Sequence, residues 1–509
     1  MHGSGNTIRR IAILGGGTAG WMAAAALSRA LAGTNTSISV IASDEIGTIG
    51  VGEASVPGIR AFVGFLGLDE REFMRECHAT FKLGIQFMNW GAQARRYFHS
   101  FTHLGLDPNS RQFHRLFQRY ALGHAACGQR ANLDDYNLGA VAAHAERFGL
   151  PARSHIAPSG ILNYAYHFDA ALLAKYLRSY SECHGVEYIN GTVDSVPLDE
   201  RGFIRSLILA DGREVAADFF VDCSGFAGIL IERALQSGYD EWSKWLPCDR
   251  AIALPSVGTQ SPPPFTCSTA MDAGWIWRIP LQSRIGNGQV YCSEFMSDDA
   301  AEGQLRAQLN GEALAGARRI RFTTGKRRRT WIHNCVALGL AAGFLEPLES
   351  TSVHLVQSAL FRLISLFPDQ RFEPAEIAAF NRQTDEEYED IREFLVLHYK
   401  LTSRVDTPFW RHCRDIVVSD RLKDTIEMFS ASGRLLAKPE QLFTVNSWLA
   451  VLYGQGALPR GFDPLLAPLE DDDLERKMGE IRGTLGGIVS RIPRHAEFLA
   501  RYCGSKLPT

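Results

Sequence analysis

"RIAILGGGTAGWMAAAALSRALAG", residues 10–33, decides the fold. Behind Arg10 runs a short apolar stretch to Leu14, as expected of a buried parallel strand. Gly15-x-Gly17-x-x-Gly20 follows at once, and the alanine-rich stretch 21–33 reads as a helix closed by Gly33. Glycines at this spacing permit a tight turn, let the backbone approach a pyrophosphate and let helix pack on strand. The helix N-terminus then turns its positive dipole end to the phosphates. With a second strand at "SISVIAS" (37–43), the pattern predicts a dinucleotide-binding unit; a glycine turn used only for packing is the alternative. The acid expected at the end of the second strand, to bind ribose hydroxyls, is missing: Ala42 and Ser43 stand there, with Asp44 and Glu45 just beyond.

The chain has 509 residues, more than one ordinary domain holds, so two or more packed units are expected. Hydrophobic residues make up 46% and charged residues 21%, the composition of an ordinary globular enzyme. A net charge of −3 gives no electrostatic case for nucleic acid or an anionic membrane. The one basic run, Lys326-Arg327-Arg328-Arg329, reads as a solvated surface stretch. The ten cysteines include no CxxC pair, so a zinc or thioredoxin-like reading has no support and no metal is expected. No secretory pattern precedes the first strand and no apolar run approaches the ~18–20 residues of a membrane span. Thiols of this kind suit a reducing cytoplasm.

Further along, residues 69–79 predict a helix. "TFKLGIQF" (80–87) alternates, with Phe81, Leu83, Ile85 and Phe87 on one side and Lys82, Gly84 and Gln86 on the other, which predicts a half-buried strand. A helix over 169–185 leads into the strands "VEYINGTVDSV", "IRSLILADG" and "ADFFVDCSGF", with a hairpin at "ADG". "SPPPF" (261–265) marks a junction. In "GWIWRIPL" (274–281) Trp275 and Trp277 are two apart and face the same side of a strand, which the proline then stops. "NCVALGLAAGFLEPLEST" (334–351) reads as a buried strand, a turn and a helix beginning near Thr351, with Val353, Val356, Leu360 and Leu363 on one face. Beyond about residue 370 the pattern is mostly helical.

"ADFFVDCSGFAG" (217–228) ends a strand in small residues, as flavoproteins with two dinucleotide folds do beside their cofactor. "ALGLAAGFLEP" (337–347) looks like the segment that closes over a flavin ribityl chain, so the three segments favour FAD over NAD. The resemblance then becomes specific. "GGGTAG" (15–20), "GTIGVGEASVP" (47–57), "FKLGIQFMNW" (81–90), "YAYHFDA" (164–170), "VDCSGFAG" (221–228), "WIWRIP" (275–280) and "GFLEPLEST" (343–351) stand in the order of a flavin-dependent halogenase of the tryptophan-halogenase family, indole-type subgroup. The likeness reaches from residue 10 to about 360; the C-terminal third matches only in helical character.

The resemblance implies an α/β fold: an FAD-binding two-dinucleotide-fold (flavin monooxygenase-like) domain with an inserted mixed β-sheet and a helical C-terminal substrate region. The expected division is a discontinuous FAD module of 1–100, 155–235 and 325–370, inserted substrate-side segments 101–154 and 236–324 with the Trp motif, and a helical region 371–509. FAD contacts are expected from Gly15, Gly17, Thr18, Ala19, Gly20, Ser43, Val51, Ala54, Val193, Leu340 and Val353. Family chemistry uses FADH2 and O2 to convert halide into hypohalous acid, which travels through the protein to an aromatic ring held elsewhere. Lys82 matches the catalytic lysine: its ammonium can polarise hypohalous acid, or a neutral, desolvated amine can form a haloamine. Glu349 matches a carboxylate that stabilises the cationic ring and takes its proton, with Glu346 as competitor. Thr351 and Ser352, at a helix start, are candidates for chloride or bromide; Ser352 stands where the family more often has glycine. Trp275 and Trp277 would keep an organic substrate from the flavin and pass only a small oxidant, with core packing as the alternative.

His99 and Phe101 of "YFHSF" (97–101), Ser350 and Trp448 complete the expected substrate side. Members that act on free tryptophan clamp its head group with a tyrosine pair and a nearby acid; "SWLAVLYGQGALPRGF" (447–462) has Tyr453 but no pair and no acid. Indole or an indole derivative is therefore the expected substrate, with free tryptophan as the alternative. No second glycine-rich turn is seen, so FADH2 is expected from a separate flavin reductase. A homodimer is expected from the family, and an aromatic hydroxylase and a non-catalytic flavin-binding protein are the rival classes.

Overall fold

In the computed structural model, residues 6–44, 52–106, 113–150, 162–436 and 441–504 are described. The chain divides into two compact units, each assembled from three separate stretches. The first comprises Met1–Ala79, Phe168–Ser243 and Arg321–Glu389, and the second Thr80–His167, Lys244–Ile320 and Asp390–Thr509.

The first unit is built on a six-stranded sheet in the order Trp331–Ile332, Cys335–Ala337, Phe219–Asp222, Arg10–Leu14, Ser37–Ala42, Glu187–Asn190. Four of its five pairings are parallel, with Ile13 beside both Val221 and Val40. Parallel strands need long crossovers, and helices supply them: Thr18–Ala30 joins the first two strands and packs against Ala170–Cys183 and Ser352–Ser365. Asp169 caps the second of these helices, its carboxylate accepting from the N–H groups of Ala171 and Leu172. Strand Phe219–Asp222 is buried throughout. Behind the sheet Leu14, Ile41, Leu207, Phe220 and Leu230 form one core cluster.

The basic run departs from its sequence reading. Lys326 and Arg327 are buried, not solvated: Lys326 meets Asp385 at 2.6 Å, and Arg327 meets Glu232 at 2.7 Å and donates to the Ala341 carbonyl. They lie on the central strand, Gly325–Arg327, of a small antiparallel sheet, and a buried cation is tolerated only when paired.

The second unit carries a seven-stranded sheet in the order Arg318–Arg321, Arg250–Val257, Arg284–Tyr291, Gly274–Pro280, Thr266–Ala270, Gly84–Met88, Arg96–Ser100. It is mixed, because Thr266–Ala270 pairs antiparallel with Gly274–Pro280 and parallel with Gly84–Met88. The proline ends its strand, as expected: Pro280 is the last paired residue, opposite Ile285. "TFKLGIQF" is two strands, not one half-buried strand. Thr80–Lys82 pairs with Ala165–Asp169, Gly84–Met88 joins the large sheet, and both faces are covered, so Lys82 and Gln86 are buried. The C-terminal stretch is helical, including Pro408–Asp415, Asp420–Ser432, Val445–Gln455, Asp471–Ser490 and His495–Cys503. Among the described residues no helix is long and apolar enough to cross a membrane.

Candidate active site

In the first unit the glycine turn is shaped for a ligand in front of the helix. Gly15 has φ +120° and no room for a side chain: a methyl there would lie 2.2 Å from the Cys223 carbonyl oxygen. A methyl on Gly20 would lie 1.8 Å from the Gly15 oxygen, whereas one on Gly17 would meet nothing within 4 Å. Gly17 is the N-cap and bears no side chain, so no side-chain cap covers the first-turn N–H groups. Two glycines close the turn and the third leaves open space before those N–H groups, a cradle that fits a pyrophosphate.

Other predicted cofactor residues gather on this unit. Thr18 donates to the Ala170 carbonyl at 3.4 Å, and the Ala19 methyl would be 2.8 Å from a methyl on Gly339, next to half-buried Leu340. Cys223 donates its N–H to Leu14, bringing "VDCSGFAG" against the turn. Buried Asp222 shapes that segment by accepting from Ser224, Leu230 and Ile231. Ser43 follows the second strand, Ala54 is buried in the short strand Gly52–Ala54, and Val193 packs on the core cluster around Leu209. Val51 lies outside the described residues. At the end of the second strand Asp44 accepts from the Tyr188 hydroxyl at 2.6 Å, and the Arg178 guanidinium stacks over Tyr188.

Glu349 closes a single turn, Pro347–Glu349, and both it and Glu346 are buried. Ser350 follows at φ +60°. Thr351 is the N-cap of helix Ser352–Ser365, but its hydroxyl does not cap. That hydroxyl oxygen is buried without a hydrogen-bond partner among the described residues, at a helix start that has no acid in its first turn. Orphan N–H groups beside an orphan hydroxyl suit a small anion. Val353 is buried on the same helix, whose Gln357 donates to the Gly58 carbonyl of "GEASVPG" at 2.7 Å.

In the second unit Lys82 is 0% exposed, with its ammonium 5.2 Å from the centre of the Phe101 ring. Its strand is fixed by hydrogen bonds. The Thr80 hydroxyl donates to the Pro280 carbonyl at 2.6 Å, so His167 Nδ1, 2.9 Å away, is the donor to Thr80. His167 Nε2 then accepts from the Thr266 hydroxyl. Burial holds this imidazole well below its ordinary pKa, and the positive charges of Lys82 and His495 add to the effect. Phe81 is the centre of a ring cluster: it stacks on Phe148 at 4.0 Å, meets Tyr164, Phe498 and Tyr502 edge-on, and donates its N–H to His495.

Trp275 and Trp277 do share a face, their rings 6.1 Å apart, and Gly288 opposite Trp277 makes room for its indole. They are not isolated. Trp275 meets Trp90 at 6.4 Å, Trp90 meets His398 at 6.0 Å, and His398 meets Phe394 at 5.1 Å. Phe394 contacts His99 and Trp448 and stacks on Phe443 at 3.9 Å. The structure thus joins the two-Trp motif, His99 and Trp448 in one aromatic network, while Phe101 lies with Lys82. Tyr453 turns elsewhere, onto Phe117 and Phe429. His167, Trp90, Phe394 and Phe443 were not singled out from the sequence as site residues. His167 and Trp90 stand within the quoted motifs; Phe394 and Phe443 look like any helix or loop aromatic.

The sequence matches the family model described as tryptophan halogenase over residues 10–471. It is 35% identical to tryptophan 7-halogenase RebH of Lentzea aerocolonigenes, over 98% of this chain and 99% of that protein. Among solved structures, Xcc4156, a flavin-dependent halogenase from Xanthomonas campestris, superposes with TM-score 0.93 at 44% identity, covering 99% of this chain and 100% of that one. BrvH, a flavin-dependent halogenase from Brevundimonas sp. BAL3, gives 0.92 at 43%, covering 97% and 99%. These likenesses extend the resemblance through the C-terminal third, and the mixed α/β architecture agrees with the expected fold. The chain belongs to the tryptophan halogenase family of flavin-dependent enzymes.

Proposed function

We propose that the enzyme halogenates indole or an indole derivative, using FADH2, O2 and chloride or bromide. The observation that carries the reading is Lys82, an ammonium-bearing side chain with no solvent exposure, beside an aromatic ring. Burying a charge is costly, and a buried lysine beside an aromatic ring, within the matching motif, supports a role in the chemistry. O2 is the oxidant, taking two electrons from halide to give hypohalous acid and two from FADH2, which when bound would activate it. The glycine cradle, with Thr18, Ala19, Ser43, Val51, Ala54, Val193, Leu340 and Val353, holds FADH2, in the discontinuous module 1–100, 155–235 and 325–370. Thr351 and Ser352 hold the halide. Lys82 engages the oxidised halogen, as hydrogen-bonded hypohalous acid or as a haloamine. Glu349 takes the ring proton on its carboxylate oxygen. The aromatic network through Trp275, Trp277, His99 and Trp448, with Phe101 and Ser350, excludes water and seats the ring.

The lack of a second tyrosine and an acid in 447–462 supports a substrate without the amino-acid head group. FADH2 comes from a separate flavin reductase. We place the enzyme in the cytoplasm as a homodimer; that no disulfide joins any of the ten cysteines suits that compartment, and light scattering tests the dimer. The activity test supplies a reductase, NADH, FAD and bromide with indole or with free tryptophan. Bromoindole that vanishes without bromide and in Lys82→Ala, while FAD still binds, is the expected result. Bromination of tryptophan in preference to indole would overturn the substrate assignment, and a hydroxylated product independent of halide the reaction class.

A further inference from the structure

The two-Trp strand has a second face. Alternation sends Trp275, Trp277 and Ile279 one way and Ile276, Arg278 and Pro280 the other. Trp275 joins the aromatic network, whereas Ile276 packs with Leu254, Ala301 and Leu305 under helix Asp298–Ala307. Arg278, two residues on, stands opposite Cys267 and Asn287 on its neighbouring strands. That helix ends before it, and Arg278 Nη2 donates to the Gln308 carbonyl at 2.8 Å just beyond the helix end. Its Nε is buried with no hydrogen-bond partner among the described residues.

Where the helix cover stops, a cavity of about 320 Å³ opens entirely within the second unit. Phe265, Pro280 and Ile285 give it apolar walls, and Arg278, Cys267 and Asn310 its polar edge. Among the described residues, Arg278 is the one charged side chain in the lining. The carboxylate that meets a lining residue, again among the described residues, is that of Glu146, which accepts from the Ser261 hydroxyl at 3.3 Å. The volume lies within the range of small-molecule sites, roughly 300–1,000 Å³, and apolar walls with one converging charge are the usual pattern of such sites. A guanidinium that spends one Nη2 donor on a carbonyl keeps further Nη donors, and its planar fork fits a carboxylate, which accepts two parallel N–H bonds.

We propose that this cavity is a second ligand site, on the sheet face away from the tryptophan pair, for a small carboxylate with a ring or branched apolar body. Arg278 takes the carboxylate, and Phe265, Pro280 and Ile285 take the body. The site does not depend on the halogenation chemistry, and its test reads binding rather than turnover.

Benzoate is the probe and benzamide its neutral control. Cys267, which lines the cavity, and Cys127, exposed elsewhere, are alkylated with iodoacetamide and followed by peptide mass spectrometry; the reaction is run at alkaline pH because burial pushes the Cys267 thiol up. Saturation-transfer NMR measures benzoate affinity in parallel for the wild type, Arg278→Met and Arg278→Lys, with thermal midpoints confirming that the variants fold. At benzoate about ten times its Kd, alkylation of Cys267 is expected to slow about tenfold, with Cys127 unchanged. The benzoate signal is expected to fall sharply in Arg278→Met and partly in Arg278→Lys. Equal protection by benzamide, no NMR-detected binding, or benzoate binding that survives Arg278→Met would each overturn the proposal. Were Cys267 to resist alkylation altogether, the comparison of the three proteins by NMR decides alone.

Discussion

Asp134 offers a test of the strand that carries His99. It is a buried carboxyl, 6% exposed, whose Oδ1 accepts the Phe98 N–H at 3.2 Å. Burial raises its pKa from an ordinary 3.8 to about 7; the Phe98 bond and the Arg96 and Arg130 charges oppose the rise, and Asp135 adds to it. The shift is about 3 units, and at ~1.4 kcal/mol per unit the linked free energy is about 4 kcal/mol. The folded pKa is the higher one, so the contribution is fully present below pH ~4 and is lost as pH rises toward 7. Asp134→Asn keeps an acceptor for Phe98 but cannot ionise. Relative to wild type, the variant should therefore gain stability between pH 4.5 and 8, by a difference approaching about 4 kcal/mol. Scanning fluorimetry of both proteins across that range measures it: the gap in thermal midpoints should widen with pH in favour of the variant. Parallel curves, or a gap that widens in favour of wild type, would refute the reasoning, because every other titrating group is common to the two proteins.

Gly17 and Gly20 should behave oppositely. Gly17→Ala has open space and an ordinary φ of −80°, so it should fold normally yet bind FAD at least about tenfold more weakly, a loss of ~1.4 kcal/mol by flavin fluorescence titration. Gly20→Ala would thrust its methyl to 1.8 Å from the Gly15 oxygen and should lower the thermal midpoint before any cofactor is added. Gly288→Ala would place a carbon 2.0 Å from the Trp277 ring and 2.5 Å from the Ile252 oxygen. Overpacking of this kind costs about 1–3 kcal/mol, and near-ultraviolet circular dichroism should show the tryptophan displaced.

What the sequence made legible was local. The strand–glycine–helix unit announces itself because its chemistry lies in eleven consecutive residues, Arg10 to Gly20, and the structure realises it with Gly15 and Gly20 crowded and Gly17 open. The two-residue spacing of Trp275 and Trp277 likewise set their shared face. Partners distant in sequence could not be read. Lys326 and Arg327 looked solvated because Asp385 and Glu232 stand 59 and 95 residues away. "TFKLGIQF" looked half-buried because a two-residue period does not reveal that the chain changes sheets at Leu83 or that both faces are covered. Phe394 and Phe443 escaped notice for a different reason: a single aromatic residue in a helix or loop carries no mark of the rings it will meet.

Lys82 shows what the site costs the fold. A methionine has nearly the same length and no charge, and it would fill the space beside Phe101 without the desolvation of an ammonium. The ring face offsets part of that desolvation, and His167, held neutral between Thr80 and Thr266, avoids adding a second positive charge. Holding a charged group out of water costs the fold free energy that an apolar side chain of similar volume does not, and replacing a functional residue commonly recovers stability at the expense of activity. Lys82→Met should therefore match or exceed the wild-type thermal midpoint, bind FAD as before and form no halogenated product. Stability given up at one position for activity is the pattern of a functional residue, and the opposite pattern of a structural one. A variant that melted well below wild type while still halogenating indole would mean that the lysine serves the packing and that the chemistry lies elsewhere.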